Sequence, residues 1–289
     1  MGKIFDALEK SNIEHKSSLS AANNACTVNE VIGKQEILRE KSVPEQAAAL
    51  FEKKNYDKDL VVFLNPLSFE AEQFKALKTN ILFPVSGKPP RTIMVTSAVP
   101  GEGKSFVAAN LAASIAQNID THVLLIDCDL RKPCLHSRFG IPEAEGLSEY
   151  LGQGGEISTL LRRIDRNNFT LLPAGRIPDN PSELLSSKQM SNFLAEAGKR
   201  YTDRIIIIDT PPPNLAPETT VIARQVDGIL LVVNYGHTNR ELISQAIEMI
   251  GKDKILGVTF NRFNMRTSSY YGYGKYGNYK KYYGKPLKC

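Results

Sequence analysis

Six short segments of the chain are almost wholly apolar, and segments with helical periodicity separate them. The apolar segments are TIMVTS (92–97), HVLLID (122–127), FTLLPA (169–174), RIIIID (204–209), VDGILLVVN (226–234) and ILGVTFN (255–261). A strand that is apolar on both faces is typical of a parallel sheet covered by helices on each side. The alternation therefore predicts an α/β fold with a mostly parallel sheet and helices on both faces.

The intervening segments carry helix signals. An apolar stripe at Phe74, Leu77 and Ile81 predicts a helix over 68–82, with Ser68 as its N-cap. Proline is favoured in the first helical turn, so Asn180 followed by Pro181 predicts the start of a helix. The remaining predicted helices lie over 104–117, over 188–200 and near 239–250.

The two ends of the chain differ from its middle. The first 63 residues contain two short helical patterns, one with Ile4, Phe5 and Leu8 on one face and one over 44–54, joined by a Ser-, Asn- and Ala-rich stretch. This composition is typical of a flexible arm. The predicted organisation is an N-terminal arm over 1–63, a folded domain over 64–266 and a tail over 267–289.

Composition narrows the class of protein. The chain has 289 residues, of which 42% are hydrophobic and 23% are charged, as in soluble globular proteins. It has no apolar run of about 18 residues, and its first residues lack the apolar core of a secretory signal. The four cysteines match no zinc spacing, so we expect reduced thiols in a cytoplasmic protein.

The tail carries the net charge of the chain and most of its tyrosines. Net charge is +5, and residues 270–289 contain five lysines and no acidic residue. Seven of the eleven tyrosines lie among these lysines and several glycines: Tyr270, Tyr271, Tyr273, Tyr276, Tyr279, Tyr282 and Tyr283. Such a segment has too little aliphatic surface to form a core, so we expect it to be disordered in isolation.

The segment AVPGEGKS (98–105) fits the phosphate-binding loop G-x-x-x-x-G-K-[ST], with Ala98 in place of the first glycine. A predicted strand precedes it and a predicted helix follows, which makes a plain glycine-rich turn the weaker interpretation. Lys104 is expected to reach the β- and γ-phosphates, and Ser105 to bind Mg²⁺. The nucleotide-binding residues predicted from this loop are Gly101, Glu102, Gly103, Lys104, Ser105 and Phe106.

Three carboxylates follow two predicted strands at the edge of the sheet where ligands bind in α/β proteins. Asp127 and Asp129 follow HVLLI, and Asp209 follows RIIII in a Walker-B arrangement. Asp129 and Asp209 are predicted to hold Mg²⁺. For a phosphoryl acceptor with a hydroxyl group, Asp127 is predicted as the proton acceptor, although Asp129 remains an almost equal candidate.

Two features of the sequence indicate which base the nucleotide has: the residue that ends the last predicted strand, and the absence of a guanine-binding motif. No Asn-Lys-x-Asp sequence of the guanine-binding type occurs. Asn261 ends the predicted strand over 255–261, where its amide group is placed to read adenine, although a plain turn asparagine remains an alternative. ATP is therefore the predicted nucleotide.

Four segments together resemble the bacterial tyrosine kinases of polysaccharide synthesis and export systems. They are AVPGEGKS (98–105), LLIDCDLRKP (124–133), IIIIDTPP (205–212) and LPAGRIPDNPSELL (172–185). The resemblance covers about residues 64–289, and paired acids before Arg-Lys-Pro together with a C-terminal tyrosine cluster are specific to that family. The opening MGKIFDALEKS is similar to free-standing members, whose membrane partner is a separate polypeptide.

The resemblance implies an ATP- and Mg²⁺-dependent protein-tyrosine kinase that regulates exopolysaccharide biosynthesis and export. Its phosphoacceptors would be the seven tail tyrosines, modified between neighbouring subunits. The basic tail and the acidic site further predict self-association through tail-to-site contacts. It further implies a membrane-spanning activator of the chain-length-determinant type and a cognate tyrosine phosphatase. The cytoplasmic kinase would then be recruited to the inner face of the membrane.

Two other functions fit parts of the sequence. A partitioning or positioning ATPase would share the fold, but that class usually has a second lysine where Val99 stands, and seven terminal tyrosines would have no role in it. A non-enzymatic module could bind nucleic acid or lipid through its basic aromatic tail. Binding alone would not require Asp127, Asp129 and Asp209 together, so we expect no nucleic-acid partner.

Overall fold

The computed structural model of the protein describes residues 56–164, 168–200 and 204–263. The helical patterns predicted near residues 3–10 and over 44–54 lie outside the described residues, as do the seven tail tyrosines. Every helix within the described ranges is too short or too polar to cross a lipid bilayer.

Seven strands form one sheet in the order β3–β4–β2–β5–β1–β6–β7. The strands are β1 (Thr92–Ser97), β2 (His122–Asp127), β3 (Arg162–Arg163), β4 (Phe169–Leu172), β5 (Arg204–Asp209), β6 (Gly228–Asn234) and β7 (Ile255–Asn261). All neighbouring strands are parallel except β3 and β4, which pair antiparallel. The mostly parallel sheet predicted from the apolar segments is confirmed.

Helices connect the strands and cover both faces of the sheet. They are α1 (Val61–Leu64), α2 (Phe69–Leu82), α3 (Lys104–Ala116), α4 (Leu135–Arg138), α5 (Leu147–Gln153), α6 (Pro181–Leu185), α7 (Lys188–Arg200), α8 (Glu218–Ala223) and α9 (Arg240–Ile250). Short 3₁₀ turns lie at Ile157–Leu160 and Lys252–Lys254. The Ser68 side chain accepts from the Ala71 N–H, as its predicted N-cap role requires. Asn180 takes the N-cap position of α6 but makes no side-chain capping bond.

One early strand end and one strand that the sequence did not predict have local chemical reasons. β4 ends at Leu172, before the predicted end at Ala174, because Pro173 has no N–H to donate to a neighbouring strand. The carbonyl groups of Pro173 and Ala174 instead accept from Leu147 and Ser148 at the start of α5. The two-residue strand β3, Arg162–Arg163, is too short and too polar for any apolar pattern to reveal it.

Side chains that alternate along each strand divide the core into two layers. In β1, Ile93 and Val95 enter the layer that includes α1, α2 and α3. Met94, between them, enters the layer covered by α5, α6, α7, α8 and α9. Since both faces of the central strands are buried, the continuous apolar runs of the sequence are accounted for.

The packed domain begins upstream of residue 64, where the sequence placed the end of the arm. Leu60 and Val62 are buried in the core, with exposed fractions of 0% and 1%. The Val62 N–H donates to the Asn110 side chain of α3 at 3.1 Å, and the Tyr56 ring stacks on Phe63. Residues 56–63 therefore pack as part of the folded domain. The sequence did not indicate this, because the four-residue helix α1 is too short to show periodicity. The other predicted boundaries stay predictions.

Candidate active site

The carboxyl ends of three adjacent strands meet at one edge of the sheet. β2, β5 and β1 are neighbours in the centre of the sheet, and Asp127 and Asp209 are directly opposite each other in its register. The loop 98–103 follows β1 and leads into α3. This is the edge at which open α/β sheets bind their ligands.

The backbone of the loop 98–103 has the conformation that a phosphate-binding loop requires. Gly101 and Gly103 have φ angles of +81° and +91°, which side-chain-bearing residues rarely adopt. A Cβ atom on Gly103 would lie 2.0 Å from the Asn261 amide nitrogen. Gly103 is the N-cap of the 13-residue helix α3, and no side chain caps that end. The N–H groups and positive potential of this helix end favour phosphate binding.

Lys104 lies between the carboxylates that the sequence assigned to magnesium. Its ammonium nitrogen is 2.7 Å from Asp129 Oδ2, 3.7 Å from Asp209 Oδ1 and 3.2 Å from Ser105 Oγ. Burial alone would lower the pKa of Lys104, but the attraction of Asp209 and Asp129 outweighs burial and holds that pKa above its ordinary value. The lysine therefore stays charged and partly neutralises the acidic group.

Asp127 is fully buried and held by backbone N–H groups. Its Oδ1 accepts from Asp129, and its Oδ2 accepts from Cys134 and Leu135, at 3.1–3.2 Å. Burial, followed by the nearby Asp209 charge, raises the pKa of Asp127 to about 7, although the Leu135 N–H opposes the rise. A carboxyl group with such a pKa has the proton affinity that a general base requires near neutral pH.

Asp209 has buried oxygen atoms with unmet bonding capacity. Both side-chain oxygens are inaccessible to solvent, and their polar neighbours are the Lys104 ammonium, 3.7 Å from Oδ1, and the Ser105 hydroxyl. Burial raises the pKa of this carboxyl group, since the charged form has lost its hydration. A buried carboxylate with so few polar neighbours is a fitting ligand for a cation that arrives with a substrate.

The donor set fits Mg²⁺ bound together with a nucleotide. Ser105, Asp129 and Asp209 supply a hydroxyl and two carboxylates, all oxygen ligands. Among the described residues, no group of three or more His, Cys, Asp and Glu side chains is arranged to hold a metal ion by itself. Mg²⁺ commonly uses one or two carboxylates and takes its other ligands from phosphates and water.

The Glu102 carboxylate bonds to the protein itself. The residue is 1% exposed, and its Oε2 accepts from the Val99 N–H at 2.9 Å. Its Oε1 accepts from the Asn234 N–H at 2.9 Å and from the Thr238 hydroxyl. Glu102 therefore braces the phosphate loop against the end of β6. Asn234 and Thr238 were not anticipated, because they are more than 130 residues away along the chain.

We expect Glu102→Gln to weaken nucleotide binding about tenfold in a protein that still folds. The glutamine nitrogen cannot accept a hydrogen bond, so the N–H of Val99 or of Asn234 loses its partner, at a cost of about 1–3 kcal/mol. Titration calorimetry with ATP measures the change. Glu149→Gln is the matched control, because Glu149 also accepts from backbone N–H groups, those of Gly146 and Arg176. Equal affinity in wild type and Glu102→Gln would contradict the bracing role.

The two remaining residues that the sequence assigned to the nucleotide occupy different positions. Asn261 ends β7, and its amide nitrogen donates to the Glu102 carbonyl at 2.8 Å, so the structure brings it to the phosphate loop. The Phe106 ring instead packs against Phe74 of α2, with ring centroids 5.6 Å apart. The Phe106 side chain is therefore part of the packing between α2 and α3, and only its backbone, in the first turn of α3, is left to take part in nucleotide binding.

The fold and the loop define a nucleotide-binding protein of a known class. Residues 93–274 match the family described as the CobQ/CobB/MinD/ParA nucleotide binding domain. The chain is 36% identical over 218 residues to "Tyrosine-protein kinase YwqD" of Bacillus subtilis, which is 75% of this chain and 91% of that protein. It belongs to the bacterial tyrosine-protein kinases, and the enzyme is a protein-tyrosine kinase.

Other members of the family show how this chain relates to longer kinases. It is 34% identical over 216 residues to "Tyrosine-protein kinase wzc" of Salmonella typhimurium, covering 73% of this chain but only 29% of that protein. The solved structure of the kinase domain of Escherichia coli tyrosine kinase ETK superimposes with a TM-score of 0.66 and 33% identity. The superposition covers 74% of this chain and 84% of that domain.

Proposed function

We propose that this kinase uses ATP and Mg²⁺ to phosphorylate tyrosines in its own C-terminal tail. The observation that carries the proposal is the position of Lys104 between Asp129 and Asp209, beneath a loop whose glycines have the conformation of a phosphate cradle. Phosphoryl transfer depends mainly on positioning and on charge stabilisation. A lysine, a helix N-terminus and three carboxylates at one edge of the sheet supply both.

The residues present divide the binding of the nucleotide among them. The N–H groups from Gly101 to Ser105 and the Lys104 ammonium would hold the phosphates. Asn261, whose amide nitrogen donates to the Glu102 carbonyl, would contact the base. Ser105, Asp129 and Asp209 would hold Mg²⁺, which supplies neutralisation of phosphate charge. ATP is favoured over GTP because the chain lacks an Asn-Lys-x-Asp motif.

The proposed transfer joins a tyrosine oxygen to the γ-phosphorus of ATP. As that bond forms, the bond between the γ-phosphorus and its bridging oxygen breaks and ADP leaves. The proton of the tyrosine hydroxyl passes to the Asp127 carboxylate. A free tyrosine has a pKa near 10, so an adjacent base assists its reaction at neutral pH. Asp129 is the alternative base, because it follows the same strand end as Asp127 and its Oδ2 lies 2.7 Å from Lys104.

The tail supplies acceptors with a composition suited to the site. Seven tyrosines between 270 and 283 lie close in sequence to the five lysines of the tail, and the site contains three carboxylates. We infer that lysines favour entry of a neighbouring subunit's tail and that the glycines in the tail let several tyrosines reach the site in turn.

Incubation with Mg²⁺ and ATP should produce phosphotyrosine, whereas a variant with all seven tyrosines changed to phenylalanine should produce none. Equal signal from both proteins would exclude the tail as acceptor.

Phosphorylation is expected to disperse the self-associated protein. Each phosphotyrosine adds a charge of about −1.5 to −2, so three of them offset the five tail lysines. A neutral or acidic tail is repelled by Asp127, Asp129 and Asp209. Sedimentation of Lys104→Met protein should therefore show larger species than wild type treated with Mg²⁺ and ATP. The same mass distribution in both samples, with phosphotyrosine confirmed in the wild type, would contradict the charge switch but not the kinase activity.

The cellular role that we propose follows the family. The kinase would act in the cytoplasm, at the inner face of the membrane, with a membrane-spanning activator of the chain-length-determinant type on a separate chain. A cognate tyrosine phosphatase would reset the tail, and the cycle would regulate exopolysaccharide synthesis and export. Deletion of the gene, followed by complementation with wild type or Lys104→Met, tests this role by the amount and chain length of the polysaccharide.

A further inference from the structure

Three segments that are distant in sequence meet at Glu218, the first residue of α8. Glu218 is 2% exposed, so its carboxylate is removed from water and needs partners. Its Oε1 accepts from Arg131 Nε at 3.2 Å and from the terminal nitrogen Nη2 of Arg131 at 3.1 Å. Its Oε2 accepts from the Ser182 hydroxyl of α6 at 3.1 Å. Arg131 Nη2 also donates to the Ser182 oxygen at 2.8 Å, which closes a triad of side chains.

Arg131 belongs to the turn that carries Asp129. The Lys132 N–H donates both to the Asp129 carbonyl, at 3.2 Å, and to Asp129 Oδ1, at 3.1 Å. Arg131 lies inside this turn, so fixing its guanidinium group also fixes the turn. The other oxygen of Asp129, Oδ2, is the one that contacts Lys104. The triad thus restrains a carboxylate of the active site without touching it.

Glu218 is in turn tied to the segment that follows Asp209. The Thr219 hydroxyl donates to the Pro211 carbonyl at 3.0 Å, and the Thr96 hydroxyl of β1 donates to the same oxygen. Asp209, two residues before Pro211, is at the end of β5. Hydrogen bonds and short stretches of backbone together therefore link the Asp129 turn, through Arg131 and Glu218–Thr219, to the Asp209 segment.

We propose that Glu218 is a positioning residue that acts through Arg131 and sets the separation of Asp129 and Asp209, and thereby the affinity for nucleotide bound with Mg²⁺. The proposal rests on the Mg²⁺–ATP site proposed above. An exposed ion pair would contribute little, and Arg131 is 43% exposed at its side chain. The Glu218 side chain is only 1% exposed, however, so loss of either partner leaves a buried group unpaired. Residues that hold metal ligands in place commonly change metal affinity 10- to 100-fold when replaced.

The test measures ATP affinity in the full-length protein, by titration calorimetry, with Mg²⁺ and with EDTA. Glu218→Gln keeps the shape of the side chain and removes its charge, and it should raise the dissociation constant about tenfold in Mg²⁺. In EDTA it should match wild type, because the phosphate loop is unchanged. A loss of folding stability alone would weaken ATP binding equally in Mg²⁺ and in EDTA. Glu183→Gln is the matched control, since Glu183 is an exposed carboxylate next to Ser182 on α6.

A double-mutant cycle establishes that Glu218 acts through Arg131. Arg131→Lys keeps the charge but loses the planar fork of donors, so it should weaken Mg²⁺-dependent binding in the same direction. In Mg²⁺ the double variant should bind ATP no more weakly than the weaker-binding single variant, because the effects of substitutions within one network are not additive. If Glu218→Gln does not fold, Arg131→Lys and Ser182→Ala carry the same test.

The outcomes separate this proposal from the proposed function. The positioning role would be overturned if Glu218→Gln, or Arg131→Lys where that variant does not fold, binds ATP in Mg²⁺ within twofold of wild type. It would also be overturned if the losses of affinity in the two single variants multiply in the double variant. Absence of Mg²⁺-dependent ATP binding in the wild type would instead overturn the Mg²⁺–ATP site, and this inference with it. Tail phosphorylation is not a readout here, so failure of tail phosphorylation alone leaves the result interpretable.

Discussion

Replacement of Lys104 by methionine is expected to abolish phosphotyrosine formation in a protein that remains folded. The change removes the cation that would contact the β- and γ-phosphates, and loss of one such preorganised charge costs about 100- to 1,000-fold or more in rate. It also leaves Asp129 and Asp209 without their cation, whose nitrogen lies 2.7 and 3.7 Å away. We therefore expect the free energy of unfolding without ligand to fall by up to about 3 kcal/mol.

Three measurements on the Lys104→Met protein separate the effect on chemistry from the effect on folding. Circular dichroism should show unchanged helix and sheet content, thermal unfolding should occur at a lower temperature, and an anti-phosphotyrosine antibody should give no signal with Mg²⁺ and ATP. Lys188→Met is the matched control, because Lys188 is exposed at the start of α7. Autophosphorylation by Lys104→Met at the wild-type level would disprove the phosphate-loop assignment.

Asp127→Asn is expected to retain ATP binding and to lose tail phosphorylation by about 100- to 10,000-fold, the usual contribution of a general base. The asparagine has nearly the same shape, and its oxygen still accepts from the backbone N–H groups on one side. It cannot take a proton from tyrosine. Its neutral side chain also removes the repulsion between Asp127 and Asp209, which are paired across β2 and β5.

Comparison with two other aspartates assigns the roles. Asp227→Asn is the structural control, because Asp227 accepts from the Arg91 and Thr92 N–H groups at the amino end of β1, away from the site. Asp129→Asn should weaken ATP binding in Mg²⁺ but not in EDTA. If Asp127→Asn weakens Mg²⁺-dependent binding and Asp129→Asn alone loses transfer, the two roles are exchanged. Full activity in Asp127→Asn would exclude it as the base.

The central strands could be read from the sequence because both of their faces are buried. TIMVTS, HVLLID and RIIIID begin and end in the structure where the apolar pattern begins and ends. The carboxyl ends of parallel strands share one sheet edge, so acids that follow those strands could be expected to converge there. The structure does bring Asp129 and Asp209 to Lys104. Their chemical roles stay predictions.

Contacts between distant segments could not be read in the same way. Glu102 fits the phosphate-loop pattern as a variable position, and only the folded chain shows its carboxylate on Asn234 and Thr238. Glu218 lies nine residues beyond Asp209 in a proline-rich stretch, with no periodicity to mark it. Such roles depend on which loops the sheet order brings together, and apolar patterns carry no information on pairing between remote loops.

The central claim, that the enzyme phosphorylates the tail tyrosines of a neighbouring subunit, is tested most directly by mixing two variants. One has all seven tail tyrosines changed to phenylalanine and an intact site, and the other is Lys104→Met with an intact tail. After incubation with Mg²⁺ and ATP, mass spectrometry of the Lys104→Met chain should find phosphate on tyrosines between 270 and 283. An unmodified tail on that chain, or phosphate confined to tyrosines outside the tail, would contradict the claim.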